Sequence, residues 1–156
     1  MIHLTEQLKT IGLLKPATDA AGRTGRWVSL KNAHGLWVFA YLDQGNPATV
    51  LLTPRQATAV AGTGAKAFAN PLQIWSILDL AASDAWVRQP DATSFTTDAG
   101  VKEKQVGFFV PAAALDTGGG FDCVTLATGA SNVANITSAV AILDGRYPPT
   151  PTVLAD

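Results

Sequence analysis

A single cysteine, Cys123, stands in 156 residues. An intrachain disulfide is therefore impossible, and so is a metal site built from clustered thiolates. The two histidines, His3 and His34, lie far apart in the sequence. Charge is scarce as well. Only 15% of residues are Asp, Glu, Lys or Arg, against roughly 25% in an ordinary soluble domain. The surface must then be largely neutral, which favours packing against other proteins. The 11 basic and 12 acidic residues leave a net charge of −1. No basic excess is available to neutralise phosphates, so nucleic acid is not an expected partner. No block of like charge suggests a solvated tail. No apolar run approaches the roughly 20 residues of a membrane helix, so a membrane is not expected either. The opening MIHLTEQLKT has no basic region followed by an apolar core and does not read as a secretory signal. The expectation is a soluble chain in a reducing cytoplasm.

What the sequence does have is apolar surface: 47% of residues, in a length suited to one domain with a real core. The stretch KNAHGLWVFAYLDQGNPATVLL, residues 31–52, is the most telling. Its centre, Leu36 to Leu42, is unbroken by any polar residue. As a strand it places Leu36, Val38, Ala40 and Leu42 on one face and Trp37, Phe39 and Tyr41 on the other. A sheet in a small soluble domain usually hides one face and wets the other. Something must therefore cover the second face.

The rest of the chain reads mostly as strands. LTEQLKTIG (4–12) suggests a short helix capped by Thr5 and ended by Gly12, with Leu4, Leu8 and Ile11 on one face. Such a helix is too short to stand alone and must dock on something. LLKPATDAAGRTG (13–25) reads as a linker. RWVSLKN (26–32) and LWVFAYLD (36–43) form a hairpin across Ala33–Gly35. DQGNP (43–47) is a turn and ATVLL (48–52) the next strand. TPRQATAVAG (53–62) fits a short helix or an extended segment equally. LQIWSILDL (72–80), SFTTDAG (94–100), KQVGFFVP (104–111), FDCVTLAT (121–128) and ITSAVAIL (136–143) complete the set. YPPTPTVLAD (147–156) holds three prolines, cannot pair inside a sheet and reads as an extended arm. About eight strands between turn signals indicate an all-β fold, an antiparallel β-sandwich of jelly-roll type. The expected units are a helix and linker over 1–25, a sandwich over 26–147 and an arm over 148–156.

No catalytic pattern emerges. His34 falls in the expected hairpin turn with no partner at a recognisable spacing, and a turn histidine explains it. Cys123 lies within an apolar strand, where a thiol behaves as a small hydrophobe. GTGAK (62–66) lacks the G-K-[ST] ending of a phosphate loop. GGG (118–120) follows no strand of the dinucleotide-binding type. Asp79, Asp84, Asp91, Asp98, Asp116 and Asp122 are scattered, several in turn-capping positions, without calcium-loop spacing. Neither catalytic, cofactor-binding nor metal-binding residues are assigned, and no enzyme is expected. The aromatics lead further. Trp27, Trp37, Trp75 and Trp86 are shared between core and contact surface, since Trp and Tyr anchor interfaces. The interface set is Leu4, Leu8, Ile11, Trp37, Phe39, Tyr41, Trp86, Tyr147, Pro148 and Pro149.

Three stretches, KNAHGLWVFAYLDQGNPATVLLTPRQATAVAGTGAKA, AASDAWVRQPDATSFTTDAG and GGFDCVTLATGASNVANITSA, resemble a family of small structural proteins of tailed-bacteriophage morphogenesis clusters. The resemblance spans roughly residues 26–147. It implies a virion component made in the host cytoplasm, and foremost a decoration (cement) protein on the capsid surface. Its partners would be the major capsid protein and further copies of itself, with a trimer favoured. No motif with an assigned role accompanies it, so no functional residue is carried over. A head–tail connector, tail or fibre-base protein, and a carbohydrate-binding β-sandwich or an enzyme, are the alternatives.

Overall fold

A computed structural model describes residues 8–146. Its strands are β1 (Leu8–Thr18), β2 (Arg23–Thr24), β3 (Val28–Ser29), β4 (Ala33–Gln44), β5 (Leu51–Ala57), β6 (Lys66–Ala67), β7 (Leu72–Ile77), β8 (Val87–Ala92), β9 (Phe95–Thr96), β10 (Glu103–Pro111), β11 (Cys123–Thr128) and β12 (Asn135–Gly145). They form two sheets. The larger runs β1-β12-β4-β10-β7-β8 and the smaller β2-β11-β5-β6, with β3 beside β11 and β9 beside β5. All pairings are antiparallel.

The order is that of one long hairpin wound on itself. Paired in turn are β1 with β12, β2 with β11, β4 with β10 and β5 with β6. Winding then sets β12 beside β4 and β11 beside β5. This is a jelly roll, as the spacing of strands and turns predicts. The β7–β8 hairpin widens the larger sheet by pairing β7 with the free side of β10.

The core lies between the sheets. From the larger sheet come Leu36, Val38, Val106, Phe108 and Ile74; from the smaller, Leu52, Val124 and Leu126; all are fully buried. Each contributes roughly 1.5–3 kcal/mol by leaving water. Alternation along β4 and β10 puts these residues on one face. Pro54 sits within β5 where it removes no ladder bond. β9 pairs with Leu51–Leu52 and β6 with Arg55–Gln56, leaving Pro54's flank without a strand partner. On the other side, the carbonyl of its opposite residue, Leu126, is taken by Gly25 N–H at 2.9 Å, so that pair needs no bond from proline.

Two polar clusters pin the sandwich. At the turn from β1 to β2 the buried Asp19 carboxylate accepts from Arg23 at 2.9 Å and from the Thr137 hydroxyl. Arg23 also donates to the carbonyls of Lys15, Ala17 and Thr137. The chain crosses there from one sheet to the other through Gly22, at φ +69, where a Cβ would lie 2.8 Å from Thr128 O. At one end of β4 and β10, the fully buried Lys104 ammonium meets Gln44 Oε1 at 2.9 Å and Asp98 Oδ1 at 2.7 Å. Gln44 in turn accepts from Thr97 and donates to Asp98 O, tying the 97–100 loop down.

Three sequence expectations are corrected. RWVSLKN and LWVFAYLD do not form a hairpin: β3 pairs with β11 in the smaller sheet and β4 with β10 and β12 in the larger, so the two runs bury their apolar residues across the core from each other rather than side by side. The N-terminal helix over 4–12 does not form across its described part, and 13–25 is no linker: Leu8–Thr18 is strand β1. It registers on β12 from Leu8↔Asp144 to Thr18↔Ile136. A two-turn helix has little stability of its own, whereas the edge of β12 offers a ladder of backbone bonds. The sandwich therefore begins well before residue 26. The ambiguous 53–62 segment resolves as the end of β5 followed by a turn. Leu4 and the arm over 148–156 lie outside the described residues.

Candidate functional site

The outer face of the larger sheet is aromatic. β4 contributes Trp37, Phe39 and Tyr41, on the side opposite the core. Cross-strand register sets Phe109, Gly107 and Gln105 of β10 against them, and Ile142, Val140 and Ser138 of β12 on their other side. Trp75 of β7 lies opposite Gly107. The rings touch. Trp37 stacks on Phe39 with centroids 5.8 Å apart and planes 5° from parallel. It also packs at 4.9 Å from Phe109 and 5.1 Å from Trp75. These are ordinary attractive ring geometries.

Gly107 is the hole in this face. A Cβ there would come within 3.3 Å of Phe39 and 3.5 Å of Trp86. Its bare backbone lets Trp86, from the β7–β8 connection, lean over β10 and meet Phe39 at 5.8 Å. The result is an apolar cleft of about 340 Å³ walled by Trp37, Phe39, Trp75, Trp86 and Gly107. The Arg88 guanidinium caps one wall, 4.7 Å from the Trp75 ring centroid, and is itself held by Asp91 and the carbonyls of Ile74 and Gln89. A second hollow of about 240 Å³ continues over Tyr41, Gln105, Ser138 and Val140. Tyr41 (37%), Trp86 (41%), Val140 (44%) and Ile136 (39%) remain open to solvent. Burial first, then the neighbouring Glu103 carboxylate, push the Tyr41 phenol above its usual range. It therefore stays a neutral hydrogen-bonding tip on an apolar body. Chemically this surface can bind by contact and stacking.

The structure brings together Trp37, Phe39, Tyr41 and Trp86 of the expected interface set. Ile11 is not with them: it packs against the sandwich's own core. Leu8 is half-buried on the edge strand β1, opposite Asp144. Tyr147, Pro148 and Pro149 lie outside the described residues, as does Leu4. The expected interface set left out Trp75, which the sequence offers as core or contact surface, and Phe109, Gly107, Ile136 and Val140. The alternation within LQIWSILDL, KQVGFFVP and ITSAVAIL carries their facing, but only register gathers them on the face of Trp37, Phe39 and Tyr41.

The other candidates lie away from this face. His34 lies within β4 and is exposed, not in a hairpin turn: the turn at Asn32, φ 71, carries the chain from β3 in the smaller sheet to β4 in the larger. Cys123 is buried, and its thiol is pushed up to about 12 by burial and then by the Asp122 carboxylate it donates to at 3.1 Å. Lys66 of GTGAK is paired with Asp116 at 2.5 Å and sits 4.0 Å from the Phe121 ring centroid. The glycine run is a 3-10 turn capped by Asp116, which accepts from Gly119 N–H at 3.0 Å. Among the described residues no group of three or more His, Cys, Asp or Glu side chains is placed to hold a metal ion.

No family model and no curated protein matches the chain. Among solved structures it is similar to the SPBc2 prophage-derived protein YomS, with 8% sequence identity and a TM-score of 0.47, over 87% of this chain and 92% of that one. A likeness at that level fixes neither the function nor the site.

Proposed function

We propose that this protein is a structural component of a phage virion, a capsid decoration protein that binds the major capsid shell and further copies of itself. The observation that carries the reading is the open aromatic face of the larger sheet. A neutral surface with few charges and a cluster of touching rings is composed as interface cores are. The resemblance of residues 26–147 to phage morphogenesis proteins supplies the setting. Function on this reading is adhesion: contact area that stabilises a shell.

The test is co-sedimentation with purified shells of the major capsid protein. Wild-type protein should pellet with shells. The double change Tyr41→Lys with Val140→Lys, on exposed positions, should abolish pelleting while leaving the thermal unfolding transition in place. Binding of the double variant at wild-type level would remove this face from the reading. Failure of the wild type to bind shells would remove the decoration role, leaving a connector, tail or fibre-base position to be tested by the same assay on those parts.

One observation favours a second reading. Three tryptophans around one cleft offer flat apolar walls of the kind that stack on sugar rings. Soluble oligosaccharides that shift tryptophan fluorescence and are blocked by Trp75→Ala would establish it.

A further inference from the structure

We infer that the tryptophan cleft of one copy receives the proline segment Pro148–Pro151 of a second copy, so that the protein assembles head to tail. The segment reads Pro-Pro-Thr-Pro, two prolines spaced three apart at its ends. Proline fixes φ near −65° and favours the extended left-handed helix that docks between aromatic rings. The cleft supplies such rings: Trp37, Phe39, Trp75 and Trp86 around the bare backbone of Gly107. A segment already stiffened by proline loses little freedom on docking.

The position of Arg146 decides which copy provides the segment. β12 ends at Gly145, opposite Ala33. Arg146 is held there, its N–H donating to Asn32 O at 2.9 Å and its Nε to Ala33 O at 3.2 Å. The cleft centres near Gly107, which lies opposite Phe39, two strands across from β12. At ~3.3 Å per residue along a strand and ~4.8 Å between strands, the centre of the cleft at Gly107 is roughly 25 Å from Arg146. The prolines lie two to five residues beyond Arg146, a reach of about 7–17 Å if fully extended. β12 also runs away from the cleft at this end, since its register passes from Val140↔Phe39 to Gly145↔Ala33. Even fully extended, the prolines fall short of the centre of their own cleft, so a second copy is the occupant we infer. A contact between two different surfaces is heterologous, and it closes into a ring where the rotation allows.

The inference stands apart from the capsid reading, because its test is in solution without shells. Two full-length variants are compared by sedimentation velocity: Trp86→Ala in the cleft, and the triple change Pro148→Ala, Pro149→Ala, Pro151→Ala in the segment. Each alone should self-associate about tenfold or more weakly than wild type, the scale of losing an interface anchor. Melting temperatures near wild type for both would show that folding is intact. Mixed together, the two should form one-to-one pairs, since one retains a cleft and the other a segment. A peptide of residues 146–156 should quench or shift the tryptophan fluorescence of the triple variant and leave Trp86→Ala less affected. Either variant associating like wild type, a mixture that stays monomeric, or a wild type that is monomeric at all concentrations would overturn the inference.

Discussion

On β4, Leu36, Val38, Ala40 and Leu42 are at most 1% exposed, while Trp37, Phe39 and Tyr41 at the alternate positions keep contact with solvent. The same strand thus serves two surfaces with different chemistry. The inner side chains are aliphatic and mesh with the smaller sheet. The outer ones are aromatic and hold mainly one another. Aliphatic packing rewards close fit in a closed interior. Rings expose a broad, rigid area with few torsions to freeze, which suits a surface that is buried later by a partner. The outer face is therefore composed as the proposed contact surface requires.

The sharpest way to break this comparison is to cut one residue from each face. Phe108→Ala, in the core between the sheets, should cost about 3–5 kcal/mol in urea denaturation. Trp86→Ala, leaning over the outer face, should cost about 1 kcal/mol. Equal losses would mean that the outer face is a second core and not a docking surface.

A smaller effect contrasts a buried cation with an exposed one. Lys104→Met removes the ammonium's hydrogen bonds to Gln44 Oε1, Asp98 O and Gly100 O, at about 1–3 kcal/mol. Lys66→Met, on the half-exposed Asp116 pair, should change stability by less than about 1 kcal/mol. Both pairs act in acid, since the Lys66 hydrogen bond likewise lowers the Asp116 carboxyl. The Lys104 hydrogen bond holds the Asp98 carboxyl below its ordinary value. That contribution is present above the unfolded carboxylate value, about 3.9, and is lost as pH falls through the lower folded one. Lys104→Met should flatten this limb of the stability profile. A profile identical to wild type below pH 4 would show that the pair contributes nothing.

The smallest effect is on reactivity. With its thiol pushed up to about 12 and buried, Cys123 should resist a thiol reagent at pH 8 until denaturant is added. Stoichiometric labelling of the native protein would contradict its place in the core.

Most of the jelly roll is legible in the sequence because its strands alternate. LWVFAYL and KQVGFFVP carry both faces in their spelling. β1 is not legible: Leu8 and Ile11 fit a helical spacing, bulges near Gly12 and Leu14 break the period of two, and pairing with β12 is a long-range event. β8 is hidden for another reason. VRQPDA is mostly exposed, polar and proline-bearing, the composition that protects an edge strand rather than one that announces it. The site divides likewise. Trp37, Phe39 and Tyr41 are on one face by alternation alone, while Trp75 and Phe109 join them through the register of β7, β10 and β4. Gly107 as the opening for Trp86 is visible only when the sheet is assembled.

Hydroxyl-radical footprinting of the protein, free and bound to capsid shells, tests the central claim most directly. Tyr41 and Trp86 react readily in the free protein below its self-association concentration if the outer face is open, and binding should protect both strongly while exposed residues of the smaller sheet, such as Leu51, stay as reactive as before. Undiminished labelling of Tyr41 and Trp86 in shell-bound protein would contradict the account.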